Sequence, residues 1–86
     1  MIVHLHQRFE KQYKKLPTQA RQKAKERLQL FSVAPTDMRL NNHALSGKYT
    51  GYRSISATGD IRMIYKLVDD THAHFVRIGS HSELYG

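Results

Sequence analysis

The sequence predicts an α+β domain, an N-terminal helical hairpin packed on one face of a small, mainly antiparallel sheet. Three observations lead there. Apolar residues recur at helical spacing between Arg8 and Ser32, and alternate at strand spacing between Tyr52 and Ile78. Two short polar connections, Thr58-Gly59-Asp60 and Asp69-Asp70-Thr71, separate three strand-like runs and suit antiparallel neighbours. A chain of 86 residues buries only about 60–65% of its unfolded surface, enough for one modest core, so residues 1–86 are read as a single domain.

Taken in order, Ile2 to His6 alternates and suits a short strand or an extended lead-in. Arg8 to Leu16 reads as a helix, with Phe9, Tyr13 and Leu16 on one stripe. Leu16-Pro17-Thr18 interrupts it; Pro17 as first helical residue or Thr18 as N-cap both fit the next start. The second helix runs to about Ser32 on Ala20, Ala24, Leu28 and Phe31, and its alanines predict close approach to the first. Leu40 to Leu45 reads as an irregular strand, and Ser46 to Gly51 as a turn flanked by glycines. Strands follow at Tyr52–Ala57, Ile61–Val68 and Ala73–Ile78, and the tail from Gly79 has room for one helical turn. Alternation puts Met63, Tyr65, Leu67, Val76 and Ile78 on a core face. It puts Arg53 with Ile55, Arg62 with Asp60 and Ile64, and Arg77 with Phe75 on the other. The parity of Tyr52, Ser54 and Ser56 fits this division poorly.

Composition narrows the function. No apolar run approaches the roughly 20 residues of a membrane span, and the apolar start is broken at once by His4, His6 and Arg8, unlike a signal peptide. The absence of cysteine excludes disulfides, thiolate metal sites and a cysteine nucleophile. A cytoplasmic protein that folds by packing alone is expected. Fourteen Lys/Arg against seven Asp/Glu give a net charge of +7, a field that attracts nucleic acid or an acidic protein.

Residues with chemical capacity gather in the second half: His43, Lys48, Arg53, Asp60, Arg62, Arg77, His81 and Tyr85. Such a set suits internal cleavage of RNA, where the 2′-hydroxyl is itself the nucleophile and neither a covalent residue nor a metal is required. The reaction needs a base for the 2′-proton, an acid for the departing 5′-oxygen and fixed positive charge at the phosphate. Histidine serves either proton role near neutral pH, and arginine supplies a permanent planar cation. Each residue also has a plainer role: Asp60 as a turn residue, the arginines as ion-pair partners, Tyr85 as packing. Two His-x-His pairs, His4/His6 and His72/His74, could chelate a metal on strands, but no carboxylate at matching spacing supports them, and a solvated face is the better reading. No cofactor and no metal are expected.

The stretches Leu40-Asn41-Asn42-His43-Ala44-Leu45-Ser46-Gly47-Lys48-Tyr49-Thr50-Gly51-Tyr52-Arg53, Asp60-Ile61-Arg62-Met63-Ile64-Tyr65-Lys66 and Arg77-Ile78-Gly79-Ser80-His81-Ser82-Glu83-Leu84-Tyr85-Gly86 resemble the RelE/ParE toxin superfamily. The similarity is greatest to its YafQ-like branch in bacterial type II toxin–antitoxin systems and spans nearly the whole chain. The resemblance implies a ribosome-dependent mRNA endonuclease that cuts the A-site codon. It implies active-site positions at His43, Asp60, His81 and Tyr85, catalytic arginines at Arg53 and Arg77 that bind the phosphate and the transition state, and at Lys48 the loop where relatives place catalytic lysines. The branch carries a further histidine shortly after Gly-Tyr-Arg, where this chain has Ser54-Ile55-Ser56-Ala57. The resemblance therefore implies His81 as acid, with Asp60 or His43 as base. Lys11, Lys14, Lys15, Arg21, Lys25, Lys48 and Arg62 are expected to contact RNA or ribosome.

The implied partners are an acidic antitoxin that folds on binding, the ribosome with its mRNA, and operator DNA only as the toxin–antitoxin complex. A gyrase-poisoning relative of ParE type and a non-catalytic nucleic-acid-binding module are the alternatives. The histidine and tyrosine of the tail count against the first.

Overall fold

A computed structural model describes residues 1–86. The elements follow as β1 (Ile2–Leu5), α1 (Gln7–Lys14), α2 (Thr18–Val33), a 3-10 turn (Met38–Leu40), β2 (His43–Ala44), a second 3-10 turn (Gly47–Tyr49), β3 (Arg53–Ser56), β4 (Ile61–Leu67), β5 (His72–Ser80) and α3 (His81–Tyr85). One five-stranded sheet has the order β1-β5-β4-β3-β2, with β1 parallel to β5 and all other pairs antiparallel. The sequence-predicted α+β arrangement holds, with α1 and α2 on one face. Pro17 is itself the N-cap of α2 and Thr18 its first residue, so neither expected start is realised.

The core lies between the sheet and the two N-terminal helices. Phe9 of α1 and Phe31 of α2 are fully buried against Phe75 of β5 and Tyr65 of β4. Phe31 meets Tyr65 and Phe75 edge-on, at 4.8 and 5.2 Å between ring centroids, the T-shaped geometry that aromatic quadrupoles favour. The alanines of α2 do not bring the helices into close contact along their length. A groove of about 320 Å³ opens between them instead, lined by Leu5, Phe9, Glu10, Tyr13, Lys14, Lys25 and Leu28. The helices are tied near their loop, where the Tyr13 hydroxyl donates to the Arg21 carbonyl at 3.2 Å. Arg21 in turn donates to the Leu16 carbonyl at 2.8 Å, satisfying an end that Pro17 leaves without a helical continuation.

Strand parity is reset by a bulge. Ile64 faces Arg77, but Tyr65 faces Phe75, leaving Val76 as an extra residue in β5. Phe75 and Ile78 therefore both enter the helix-side core, and Val76, expected there, does not. The Gln12 side chain of α1 accepts from the Ile78 N–H at 3.0 Å just beyond the irregularity. Arg53, Ile55, Met63 and Tyr65 share the helix side by register, and Ser54, Ser56, Arg62, Ile64, Arg77 and Gly79 share the other. The expected coincidence of Arg53 with Arg62 and Arg77 on one face is thus overturned: cross-strand pairing places Arg53 opposite Tyr65. Leu67, expected in the core, is 45% exposed. No helix is long and apolar enough to cross a membrane.

Candidate active site

Two short elements frame the site, one at the sheet edge and one on the helix-free face. The first is β2. Asn41 adopts a left-handed conformation, φ 49°, which asparagine tolerates better than most residues. Asn42 then anchors the strand: its Oδ1 accepts from the Tyr65 hydroxyl at 2.9 Å and from Arg53 Nε at 3.0 Å, while its Nδ2 donates to the Pro35 carbonyl at 2.8 Å. His43 follows, with Nδ1 2.8 Å from the Asn41 carbonyl oxygen. A carbonyl can only accept, so Nδ1 carries the hydrogen, and in the neutral ring Nε2 is left with the lone pair. The glycine-flanked turn after β2 uses Gly47 at φ +65° and Gly51 at φ +91°, conformations that L side chains rarely adopt.

The second element is α3. Ser80 Oγ accepts from the Glu83 N–H at 3.2 Å and Glu83 Oε1 accepts from the Ser80 N–H at 2.8 Å, a reciprocal capping box. The backbone hydrogen bond from Ser80 chiefly, then the Ser80 side chain and the charge of Arg77, hold the Glu83 carboxyl below its ordinary value. Leu84 is fully buried, and a side chain at Gly79 would meet Glu83 Oε1 at 3.3 Å and Leu84 Cδ2 at 3.5 Å, so the helix lies directly on a bare stretch of β5. One turn apart on α3, His81 and Tyr85 have ring centroids 4.7 Å from each other. Tyr85 meets the edge of Tyr49 at 5.5 Å. The Tyr49 hydroxyl donates to the Leu84 carbonyl at 3.2 Å and accepts from Arg77 Nη1 at 2.9 Å.

Between β2 and α3 lies a cleft of about 320 Å³ lined by His43, Ala44, Leu45, Ser46, Ser54, Arg62, His81 and Tyr85. Arg62 is half-buried and donates through Nη1 to the Thr58 carbonyl at 2.9 Å. A guanidinium has five N–H donors, so others remain for an anion. Ser54 is fully buried and its hydroxyl has no partner. A buried orphan hydroxyl is costly and suits a ligand that satisfies it. The cleft therefore joins two imidazoles, one guanidinium, two serine hydroxyls and a tyrosine, without a carboxylate.

Of the residues singled out from the sequence, His43, Arg62, His81 and Tyr85 meet in this cleft. Asp60 is exposed in the β3–β4 turn and absent from the lining; it and His81 each adjoin the last register pair, Ile61 opposite Ser80, which brings Asp60 to the same end of the sheet. Arg53 is turned to the other side of β3, where it holds Asn42. Arg77 stands behind Tyr49 in a neighbouring cleft of about 320 Å³ with His6, Arg8, Lys48, Tyr49, Tyr52 and Val76. Its Nε is buried without a partner. Ser56, in the stretch where the resemblance expects a second histidine, pairs with Arg62 on the cleft face. Lys11 and Lys14 lie on α1, Lys15 is its C-cap, Lys14 and Lys25 border the interhelical groove, and Arg21 is committed to the interhelical loop; none of these five lines the cleft. Ser54, Ser46, Asn41 and Asn42 escaped the sequence reading of the site. For Ser54 the signal was the alternation of Ser54 and Ser56 about the apolar Ile55.

A helix-covered mixed sheet of five strands, with a polar cleft on its other face closed by a C-terminal helical turn, defines the RelE-like class of small α+β toxins. The family described as "Bacterial toxin of type II toxin-antitoxin system, YafQ" matches residues 1–86, and the chain belongs to that family. Among solved structures, YafQ from E. coli strain BL21(DE3) is 28% identical, with 98% of this chain and 97% of that chain covered and a TM-score of 0.80. YafQ in the E. coli DinJ-YafQ toxin-antitoxin complex is 29% identical, with 98% and 96% covered and a TM-score of 0.77. A YoeB/ParE toxin from Agrobacterium tumefaciens is 15% identical, with 94% and 99% covered and a TM-score of 0.77, a likeness of fold alone. No curated protein is significantly similar in sequence.

Proposed function

We propose that the chain is a ribosome-dependent endoribonuclease that cuts mRNA in the A site by general acid–base catalysis. The observation that carries this reading is the meeting of His43 and His81, from distant parts of the chain, in one cleft with Arg62. Nε2 of His43 takes the proton of the 2′-hydroxyl. The 2′-oxygen attacks the adjacent phosphorus as the bond to the 5′-oxygen breaks, and protonated His81 delivers its proton to that oxygen. The products are a 2′,3′-cyclic phosphate and a 5′-hydroxyl. Arg62 and the Ser54 hydroxyl face the extra negative charge of the crowded phosphate, and fixed donors of this kind gain strength where water is excluded. Tyr85 offers a ring on which a splayed base stacks. His43 is favoured over Asp60 as base because it lines the cleft and its tautomer is set by Asn41. Arg53 acts through Asn42 as a positioning residue.

An antitoxin partner fits both the family and the DinJ complex of the similar YafQ. Its acidic segments would be drawn to the +7 body, and operator binding belongs to that complex. Primer extension on mRNA incubated with purified protein, with and without ribosomes, tests the reading. Cuts at A-site codons that require ribosomes support it. Intact mRNA together with gyrase-dependent DNA breaks would establish the ParE-type activity instead.

A further inference from the structure

Four of the six histidines lie outside the cleft, and the proposed reaction uses none of them. His4 of β1 and His72 and His74 of β5 share the helix-free face, because Val3, Ala73 and Phe75 pack on the core side. His6, which follows β1 and caps α1 by accepting from the Arg8 N–H through Nδ1, stands beside His74. Parallel pairing sets His4 opposite His74. Ring centroids are 5.2 Å apart for His4 and His72 and 5.7 Å apart for His6 and His74, so the four imidazoles form one row across the two strands. His4 and His6 are exposed, His72 and His74 half-buried.

The row continues toward the active site. His6 lines the second cleft with Arg8, Lys48, Tyr49, Tyr52 and Arg77, and Tyr49 of that cleft packs on Tyr85 of the first. His74 also faces Lys66 of β4 in register, whose Nζ lies 5.6 Å from the Tyr52 ring centroid. The charged groups around the row are Arg8 at the start of α1, Lys66 on β4, and Asp69 and Asp70 in the β4–β5 turn. Of the carboxylates, Asp69 alone contacts it, with Oδ2 3.6 Å from His72 Nδ1; its Oδ1 is taken up by the N–H groups of Thr71 and His72 and by the Thr71 hydroxyl.

Imidazoles in a row serve either a metal or an anion. A metal site requires donors converging on one point, and no group of three His, Cys, Asp or Glu in the molecule is so placed. An extended anion requires donors spread over a strip of surface, and the two neighbouring imidazole pairs provide one. Histidines charge as pH falls through the neutral range. Neighbouring imidazolium groups repel, and a polyanion laid along them relieves that repulsion, so binding and proton uptake become linked.

We infer that the His4–His6–His72–His74 row is a protonation-dependent phosphate track that grips the ribonucleic acid backbone beyond the catalytic cleft. This rests on the endoribonuclease reading. The test uses the intact protein and a His4→Gln/His74→Gln variant, positions outside the core at which glutamine keeps size and polarity; thermal melting verifies the variant's fold. Binding is measured between about pH 5.5 and 8 at constant ionic strength, to an mRNA blocked against cleavage by a 2′-O-methyl group at the A-site codon, free and on ribosomes. The wild type is expected to bind at least about tenfold more tightly at the acid end, and the variant less than about threefold, with equal affinities at pH 8. Loss of the acid effect in both arms assigns the bound backbone to mRNA. Loss only on the ribosome assigns it to ribosomal RNA. The same pH response in both proteins overturns the track alone. Absence of binding by the wild type in both arms overturns the track together with the endoribonuclease reading.

Discussion

His43 and His81 are chemically identical side chains placed in unlike settings, and the roles assigned to them follow from the settings. A base must be neutral to act, so its contribution rises with pH, whereas an acid must be protonated, so its contribution falls. A bell-shaped profile of cleavage rate is therefore expected, with the acid limb lost in His43→Ala and the alkaline limb lost in His81→Ala. Each variant should be slower by about 10²–10⁴-fold, and single-turnover rates against pH on programmed ribosomes measure both effects. Asp60→Ala should keep both limbs. Among the arginines, Arg62→Ala should reduce the rate more than Arg53→Ala, because Arg62 lines the cleft and Arg53 reaches it only through Asn42. At this scale the sequence showed which residue types were available, and its resemblance to known toxins marked His43, His81 and Tyr85. It did not show Arg62 as the cation of the cleft, because that depends on which way each strand turns its odd and even residues.

The strands and helices were legible as elements because their apolar spacing is local, and the connection at Thr58-Gly59-Asp60 reads directly as a turn. The bulge at Val76 was not legible. A one-residue insertion leaves the alternation on each side intact, and the fault shows only when β5 is laid against β4. That fault moved Phe75 into the core. The splay of α1 from α2 was likewise hidden, since alanines permit close approach without requiring it. α3 is the element on which catalysis depends most, being five residues held by one capping box, Leu84 and the bare surface of Gly79. Gly79→Val is expected to lift α3 and abolish cleavage while the helix-side core keeps its melting transition, which parallel activity and thermal-melting measurements check. The Glu83 carboxylate adds a pH dependence to the same element. Its pKa is lowered in the folded state, so its stabilisation is present above the ordinary glutamate value of 4.5 and is lost as pH falls through the lowered one. Amide exchange in residues 81–86 should accelerate in that acid range. In Glu83→Gln, which keeps the acceptor without the titration, it should not.

For the molecule as a whole, one sheet separates two surfaces with different work. The helix side holds the core and an apolar groove bordered by Lys14 and Lys25, and the helix-free side carries the cleft, the second basic cleft and the histidine row. Net charge said that a polyanion would be attracted, but charge has no address in a sequence; Lys14 and Lys25 border the groove on one side, and Arg62, Arg77 and Lys48 line clefts on the other. The central claim is that the cleft of His43, Arg62 and His81 performs transesterification through the RNA 2′-hydroxyl. Its most direct test is the chemical identity of the ends left on mRNA cut on programmed ribosomes. The wild type is expected to leave a 2′,3′-cyclic phosphate and a 5′-hydroxyl, and His81→Ala to form the same ends at least about 10²-fold more slowly. A 3′-hydroxyl and a 5′-phosphate, the ends left by attack of water, would contradict it.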